Sequence, residues 1–284
     1  MKIQLLEKIK TIKNLNMLPA VVSKLLQITS NPKSSVQDVA KIVKNDFTLS
    51  ANILKIVNSP FYGFPRKIVT VNDALVILGY TDIRNIALSL TVFDKLGYTK
   101  LININEFWRH SLGVAITSKM LAEIIKYPKP DEAFICGQLH DIGKLILSEY
   151  FPEMFKKIID LANNEKLFII EAEEKILDGI NHAQIGSWIC EKWKLPPLIT
   201  RTVAMHHSPM IAGKFDELST IVNAADFIIK DSEIGFSGDC KLPEVDADVF
   251  EFLNISDEKI DLIYNDVKLK INQAEVFLNM IKNT

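Results

Sequence analysis

The chain has 284 residues, 48% of them apolar and 24% charged, with 33 basic against 35 acidic residues and a formal net charge of -2. That balance suits a folded globular protein with a real core and excludes a disordered one. It leaves no basic excess for a general nucleic-acid or membrane-surface role. Three cysteines, Cys136, Cys190 and Cys240, form no Cys-x-x-Cys pair and read as reduced thiols. Met1 to Met17 scatters Lys2, Lys8, Lys10 and Lys13 among isolated apolar residues, unlike a signal peptide. No run approaches the ~20 apolar residues of a membrane span. A cytoplasmic, membrane-independent protein is therefore expected.

Apolar spacing is helical almost throughout. Ser35 with Asp38 forms a capping box, and Val36, Val39, Ala40 and Val43 follow on one face. Leu49, Ile53, Ile56 and Val57 repeat the pattern. The segment Asn58 to Pro65 reads as a loop, with Gly63 supplying a turn. Its Asn58-Ser59-Pro60 start suits a helix-end turn better than a binding loop. Thr70 with Asp73 caps the next helix, Gly79 ends it, and Thr81 opens another carrying Ile83, Ile86, Ala87 and Leu90. A longer helix is expected from about Glu106 to Lys126, stopped by Pro128 and Pro130. Others are expected near 131–140, 151–164, 167–178, 182–193 and 197–207. Asp231 to Asp246 reads as a loop, and the tail from 256 to 282 as a helix on Ile260, Ile263, Val267 and Ile271. A short β-hairpin fits within this all-α scheme, but a sheet-based fold does not. Trp108, Trp188 and Trp193 lie at helical spacing among apolar neighbours and read as core.

All five histidines stand in telling places. His140-Asp141 precedes Gly143-Lys144 at a helix end, and His206-His207 precedes Ser208-Pro209. Neighbours on a regular helix point ~100° apart. Two adjacent ligands therefore converge on one site most easily where a helix ends. Imidazole and carboxylate are the usual ligands of Fe, Mn and Zn. A carboxylate bridges two ions more readily than histidine does, which singles out Asp141. Ions so held acidify bound water, and Lys144 lies one turn away to meet a phosphate oxygen. Arg109 and Arg201 flank the histidines and read as partners in surface ion pairs.

The pentapeptide His140-Asp141-Ile142-Gly143-Lys144 resembles the hallmark of the HD superfamily of metal-dependent phosphohydrolases. The chain is more narrowly similar to the HDOD domain, a bacterial relative of the HD-GYP cyclic-di-GMP phosphodiesterases. Leu18-Pro19, Ala40 to Asp46, Leu54 to Ser59 and Ala74 to Gly79 resemble its N-terminal half. Phe107 to Ser111, Gly179 to Ala183, Trp193 with Leu195-Pro196, and His206 to Pro209 resemble its C-terminal half. Two positions depart from these patterns. Asp46 is followed by Phe47 where proline is usual, and the Gly-Tyr-Pro signature is absent after His207, which argues against cyclic-di-GMP hydrolysis.

The resemblance implies an all-α fold, a multi-helix HD-like bundle with an N-terminal lobe of short helices. The HDOD domain would span 15–212, divided into a lobe at 15–98 and an HD-like core at 99–212. Helices in 213–284 would complete the bundle. The implied ligands are His110, His140, Asp141 and Asp226 for one divalent ion, and Asp141, His182, His206 and His207 for a second, with Fe, Mn or Zn as the metal. Glu106, one turn before His110, reads as an exposed helix carboxylate instead. Asp141 and Lys144 would be the catalytic pair of a phosphohydrolase acting on a nucleotide or phosphodiester. Many HDOD domains have lost such ligands and serve as signalling modules. The expected function is accordingly bacterial signal transduction, through a protein partner in trans or a small nucleotide. Nucleic acid is not an expected partner, since no basic recognition face is present.

Overall fold

The computed structural model describes residues 7–9, 11–12, 20–29, 35–95, 99–239 and 247–274. Cys240, Leu18-Pro19, the loop stretch 240–246 and the tail beyond Ala274 lie outside the described residues. Fourteen helices and one two-stranded hairpin are found among the described residues. The chain divides into two compact units, Met17–Lys95 with Leu269–Thr284, and Met1–Asn16 with Leu96–Lys268.

The smaller unit holds α1 (Ala20–Thr29), α2 (Val36–Lys44), α3 (Phe47–Val57) and α4 (Val71–Lys95). The Ser35 capping box opens α2, and Asp46 caps α3 by accepting the Leu49 N–H at 2.9 Å. Phe47 takes the first helical position, where proline is only one of several residues that fit, and it is 87% exposed. Gly79 breaks α4 with φ 85° and ψ 167°, at the predicted helix end. Val71–Val92 is apolar enough on average to cross a membrane. Half of that stretch is buried inside the protein, however, and α4 packs on α1, α2 and α3, as a core helix does. Asn58 proves structural. Its amide donates to the Leu54 and Ile68 carbonyls at 2.7 and 2.8 Å, and its oxygen accepts the Ile68 N–H at 2.8 Å.

The larger unit is built on α5 (Ile104–Ile124), which packs along α6 (Pro130–Leu139) and α12 (Glu217–Asp231). Between them run α7 (Ile142–Tyr150), α8 (Pro152–Glu165), α9 (Ile169–Ile176), α10 (His182–Lys192) and α11 (Pro197–Met205). Helix α13 (Ala247–Phe252) and the part of α14 (Asp257–Gln273) up to Lys268 complete it. Sequence periodicity misses α7 because every residue from Ile142 to Ser148 is buried, so no polar face alternates with an apolar one. Met210–Ile211 pairs with Lys214–Phe215 across Ala212 and Gly213, both at positive φ as a tight hairpin turn requires. Trp108 and Trp193 are buried, as their spacing predicts. Cys136 and Cys190 are buried and free, and burial pushes the Cys190 thiol up to about 12.

Asn58→Ala removes three hydrogen bonds and leaves the buried Ile68 without a partner for its N–H. The expected loss is about 2–3 kcal/mol of stability, measurable as a lower midpoint in urea unfolding.

Candidate metal centre

Two helices of the larger unit end on histidine. The last carbonyls of a helix lack partners inside it, and here an imidazole supplies one. His140 caps α6 with Nδ1 2.6 Å from the Gly137 carbonyl oxygen, and His206 caps α11 with Nδ1 2.8 Å from that of Val203. With Nδ1–H donating to a carbonyl, each Nε2 presents its lone pair to the interior. The residue after each cap then leaves the helix path. Asp141 and His207 thereby join their neighbours at one place.

His182 is positioned from the other end of a helix. It is the first residue of α10, where N–H groups are unpartnered. Glu173 Oε2 accepts both its backbone N–H at 2.8 Å and its Nδ1–H at 2.6 Å, so Nε2 again faces inward. His110 comes from the middle of α5 and Asp226 from α12, with His110 Nε2 3.1 Å from Asp226 Oδ1.

Asp141 lies among them. Its Oδ1 is 3.1 Å from His182 Nε2 and 3.7 Å from His206 Nε2. Its Oδ2 is 3.4 Å from His140 Nε2 and 3.9 Å from His110 Nε2. His207 Nε2 approaches His182 Nε2 to 2.9 Å. Two overlapping groups can each hold an ion, one of His110, His140 and Asp141, the other of Asp141, His182, His206 and His207. Asp226 adjoins the first through His110 and His140. All seven residues expected as ligands are thus brought together. Glu106 is not among the clustered groups, and its backbone carbonyl accepts the Phe236 N–H instead.

The donor atoms test the fit to metal. Nε2 of His110, His140 and His206, with Oδ1 of Asp141 and Asp226, are buried and make no well-formed hydrogen bond, the 3.1 Å approaches of His110 to Asp226 and of His182 to Asp141 included. Orphaned buried polar atoms are costly and rare. Five of them facing one another make a donor set that fits divalent ions. Burial drives His110 and His207 down, and His206 to about 4, which keeps these rings neutral as ligation requires. Burial also opposes charge on His140, but Asp141 and Asp226 outweigh it and raise the ring to about 9. That proton is the one an ion would displace.

Glycine makes the close approach possible. A Cβ on Gly143 would fall 1.9 Å from the His182 carbonyl oxygen, where α7 meets α10. Lys144 is fully buried with Nζ 2.8 Å from Asp141 Oδ2. Burial opposes its charge, yet Asp141 and Asp239 hold its pKa up. Arg201 pairs with Asp216 at 2.8 Å as expected, whereas Arg109 has no ion pair among the described residues and buries its Nε without a partner.

Residues 15–209 match the HDOD domain family. The chain belongs to the HDOD family. Its fold is shared with an HDOD domain protein of unknown function from Geobacter sulfurreducens, at 24% identity and TM-score 0.79 over 93% of this chain and 92% of that one. A candidate phosphohydrolase from Shewanella amazonensis matches at 24% identity and TM-score 0.78, over 98% of this chain and 97% of that one. An uncharacterized protein of Treponema pallidum is 24% identical over 253 residues, 85% of this chain. The chain spans 47% of the length of that curated relative.

Three further residues shape the HDOD centre and escape sequence reasoning, namely Glu173, Lys230 and Asp239. Glu173 lies mid-helix in a Glu-rich stretch, and nothing local separates it from Glu171 or Glu174. Lys230 follows Asp226 by four residues, a helical pair spacing, and its Nζ is 2.8 Å from Asp226 Oδ2. Asp239 lies in the loop after α12, beyond the reach of periodicity. A cleft of about 350 Å3 opens on this side of the centre, lined by His207, Asp226, Lys230 and Asp239 together with Phe168, Phe227 and Phe250.

Glu173→Gln keeps the size of the side chain but removes the charge that orients His182. Metal affinity should fall roughly 10–100-fold with the fold intact, read by chelator competition and circular dichroism. Gly143→Ala should cost about 3 kcal/mol through overpacking against backbone, and reduce metal content with it.

Proposed function

We propose that this HDOD chain is a bacterial signal-transduction module built around a dinuclear metal centre. His110, His140, Asp141 and Asp226 would hold one ion, and Asp141, His182, His206 and His207 the other. The observation that carries this reading is the gathering of buried imidazoles round Asp141, where Nε2 of His110, His140 and His206 and Oδ1 of Asp141 itself lack a well-formed hydrogen bond. A chain that keeps so many costly groups unsatisfied is best explained by ions that satisfy them. The module would pass its state to a protein partner in trans, or take it from a small nucleotide.

A second reading, metal-dependent phosphohydrolase, is favoured by the cleft. Hydrolysis needs an opening for substrate, and the cleft reaches His207 and Asp226 directly. Bound Fe, Mn or Zn ions would act as Lewis acids and make water nucleophilic near neutral pH. The chain's own part would be to place cations beside the reacting phosphate. Lys144 and Lys230, each held charged by a carboxylate, are the groups for that work. Phosphate contacts of this kind tolerate lysine as a point charge.

Protein purified without a metal-affinity tag and without air should carry about two Fe, Mn or Zn ions per chain, and His140→Ala should lower that content sharply. Because a proton on His140 competes with the ion, apparent affinity should climb as pH rises toward about 9 and fall below it. A protein free of metal that also fails to take it up would overturn the centre. Turnover of a chromogenic phosphodiester, lost in Asp141→Asn, would select the hydrolase reading. No turnover by metal-loaded protein would leave the signalling module.

A further inference from the structure

Three donors converge on one carboxylate beside the centre. Lys230 Nζ lies 3.1 Å and Lys144 Nζ 3.8 Å from Asp239 Oδ2. The Ile169 N–H donates to Asp239 Oδ1 at 2.9 Å. Ile169 is the first residue of α9, so this third donor sits at the positive end of a helix dipole. Two ammonium groups and a helix N-terminus make a strong anion seat, and its present occupant comes from the chain itself.

The occupant fits imperfectly. At 3.8 Å the Lys144 contact is too long for a hydrogen bond. A carboxylate has two oxygens and one charge for three donors. A phosphate group has three free oxygens and up to two charges, which matches the seat better. Each lysine has one other anion, Asp141 for Lys144 and Asp226 for Lys230, both at 2.8 Å. Both are proposed ligands. When their charge is shared with ions, Asp239 is the anion left to the lysines.

Asp239 also reaches the seat from elsewhere than the ligand helices. It lies in the loop after α12, which is pinned to α5 upstream. Phe236 N–H donates to the Glu106 carbonyl at 3.0 Å, and a Cβ on Gly235 would fall 2.3 Å from the His110 nitrogen. Asp239 itself lines the cleft with Lys230 and His207.

We propose that Asp239 is a built-in stand-in for phosphate: a phosphate-bearing ligand entering the cleft displaces its carboxylate and takes the Lys144, Lys230 and Ile169 donors. The ligand exchange makes and breaks only hydrogen bonds and ion pairs. It rests on the reading of the cleft as a ligand site. Asp239 would set the threshold for occupancy, since every ligand must outcompete a tethered anion. Phe227 and Phe250, whose rings meet edge to face at 6.3 Å, offer an apolar wall for the group that the phosphate carries.

The test is calorimetric titration of inorganic phosphate into the full chain. Wild type, Asp239→Asn and the double variant Asp239→Asn with Lys230→Met are compared, with metal content measured in the same samples. Asp239→Asn keeps an acceptor for the Ile169 N–H but removes the competing charge. It should bind phosphate roughly tenfold more tightly than wild type, and the double variant should lose that gain. Asp239→Ser serves as the second variant if the asparagine protein melts early. If neither variant gains phosphate affinity, Asp239 is only a structural counter-ion and the proposal fails. A gain in samples that hold no metal and take none up upholds the seat while counting against the metal centre. Metal-loaded samples without a gain sink the seat alone.

Discussion

Asp141 faces two nests of imidazole, one on each carboxylate oxygen. Its Oδ1 looks toward His182 and His206 and its Oδ2 toward His140 and His110. The backbone here leaves one helix and enters another. Asp141 sits in that joint, after the last turn of α6 and before the first of α7. Much else in the larger unit serves the joint. The His140 ring ties off the end of α6, and Gly143 lets α7 lie against the start of α10, which brings His182 within reach. Gly186 faces the same contact from α10, with Gly143 N 3.4 Å from where its Cβ would be. Side chains larger than hydrogen on these facing glycines would separate the carboxylate from half of its partners.

Burying such a cluster is expensive unless charge is compensated. The compensation alternates in sign. Asp141 is held ionised by Lys144 and the His140 ring, and Asp226 by Lys230 and the histidines beside it. Lys230 and Lys144 in turn keep Asp239 ionised. Each anion has a cation within about 4 Å, a separation at which attraction in a low-dielectric interior offsets much of the desolvation cost. The same arrangement explains why Lys144 can be fully buried and Lys230 nearly so. Lysine is almost never fully buried without a partner, and each of these has two.

The chemistry was more legible in the sequence than the packing that orders it. Histidine beside aspartate or a second histidine at a helix stop singled out His140, Asp141, His206 and His207, whereas His110, His182 and Asp226 came only with the resemblance to the HDOD family. All seven lie together in the structure. The helical lobe at the start of the chain was legible too, through the capping box at Ser35, the cap at Thr70 and the break at Gly79. Helix α7 was not, because total burial erases the polar face on which periodicity depends. Glu173 and Asp239 were illegible for a different reason. Their roles come from tertiary contacts to residues 9 and 70 positions away, His182 and Ile169. No local pattern distinguishes a carboxylate that will orient a histidine from one that faces water. Lys230 was half visible, since its spacing from Asp226 is helical, but such pairs are common on exposed faces.

A cleft borders the centre among the described residues, and it bears on the signalling and hydrolysis readings alike. His110, His140, Asp141, His182 and His206 are each at most 1% exposed. Among the described residues, His207 and Asp226 are the proposed ligands that line the cleft. A molecule in that cleft would lie beside the loop that carries Asp239. That loop is not independent of the ligands. Through Gly235 it rests on the backbone of His110 without room for even a methyl group. An occupant that moved Asp239 would pull on a segment packed against one ligand of the first ion. Under the proposed displacement, occupancy of the cleft would bear on the geometry of the metal groups through the Gly235–His110 contact. Such a coupling suits a module that must report whether a small phosphate-bearing molecule is present, and it would serve a hydrolase equally well by tightening the ligands only once substrate has entered.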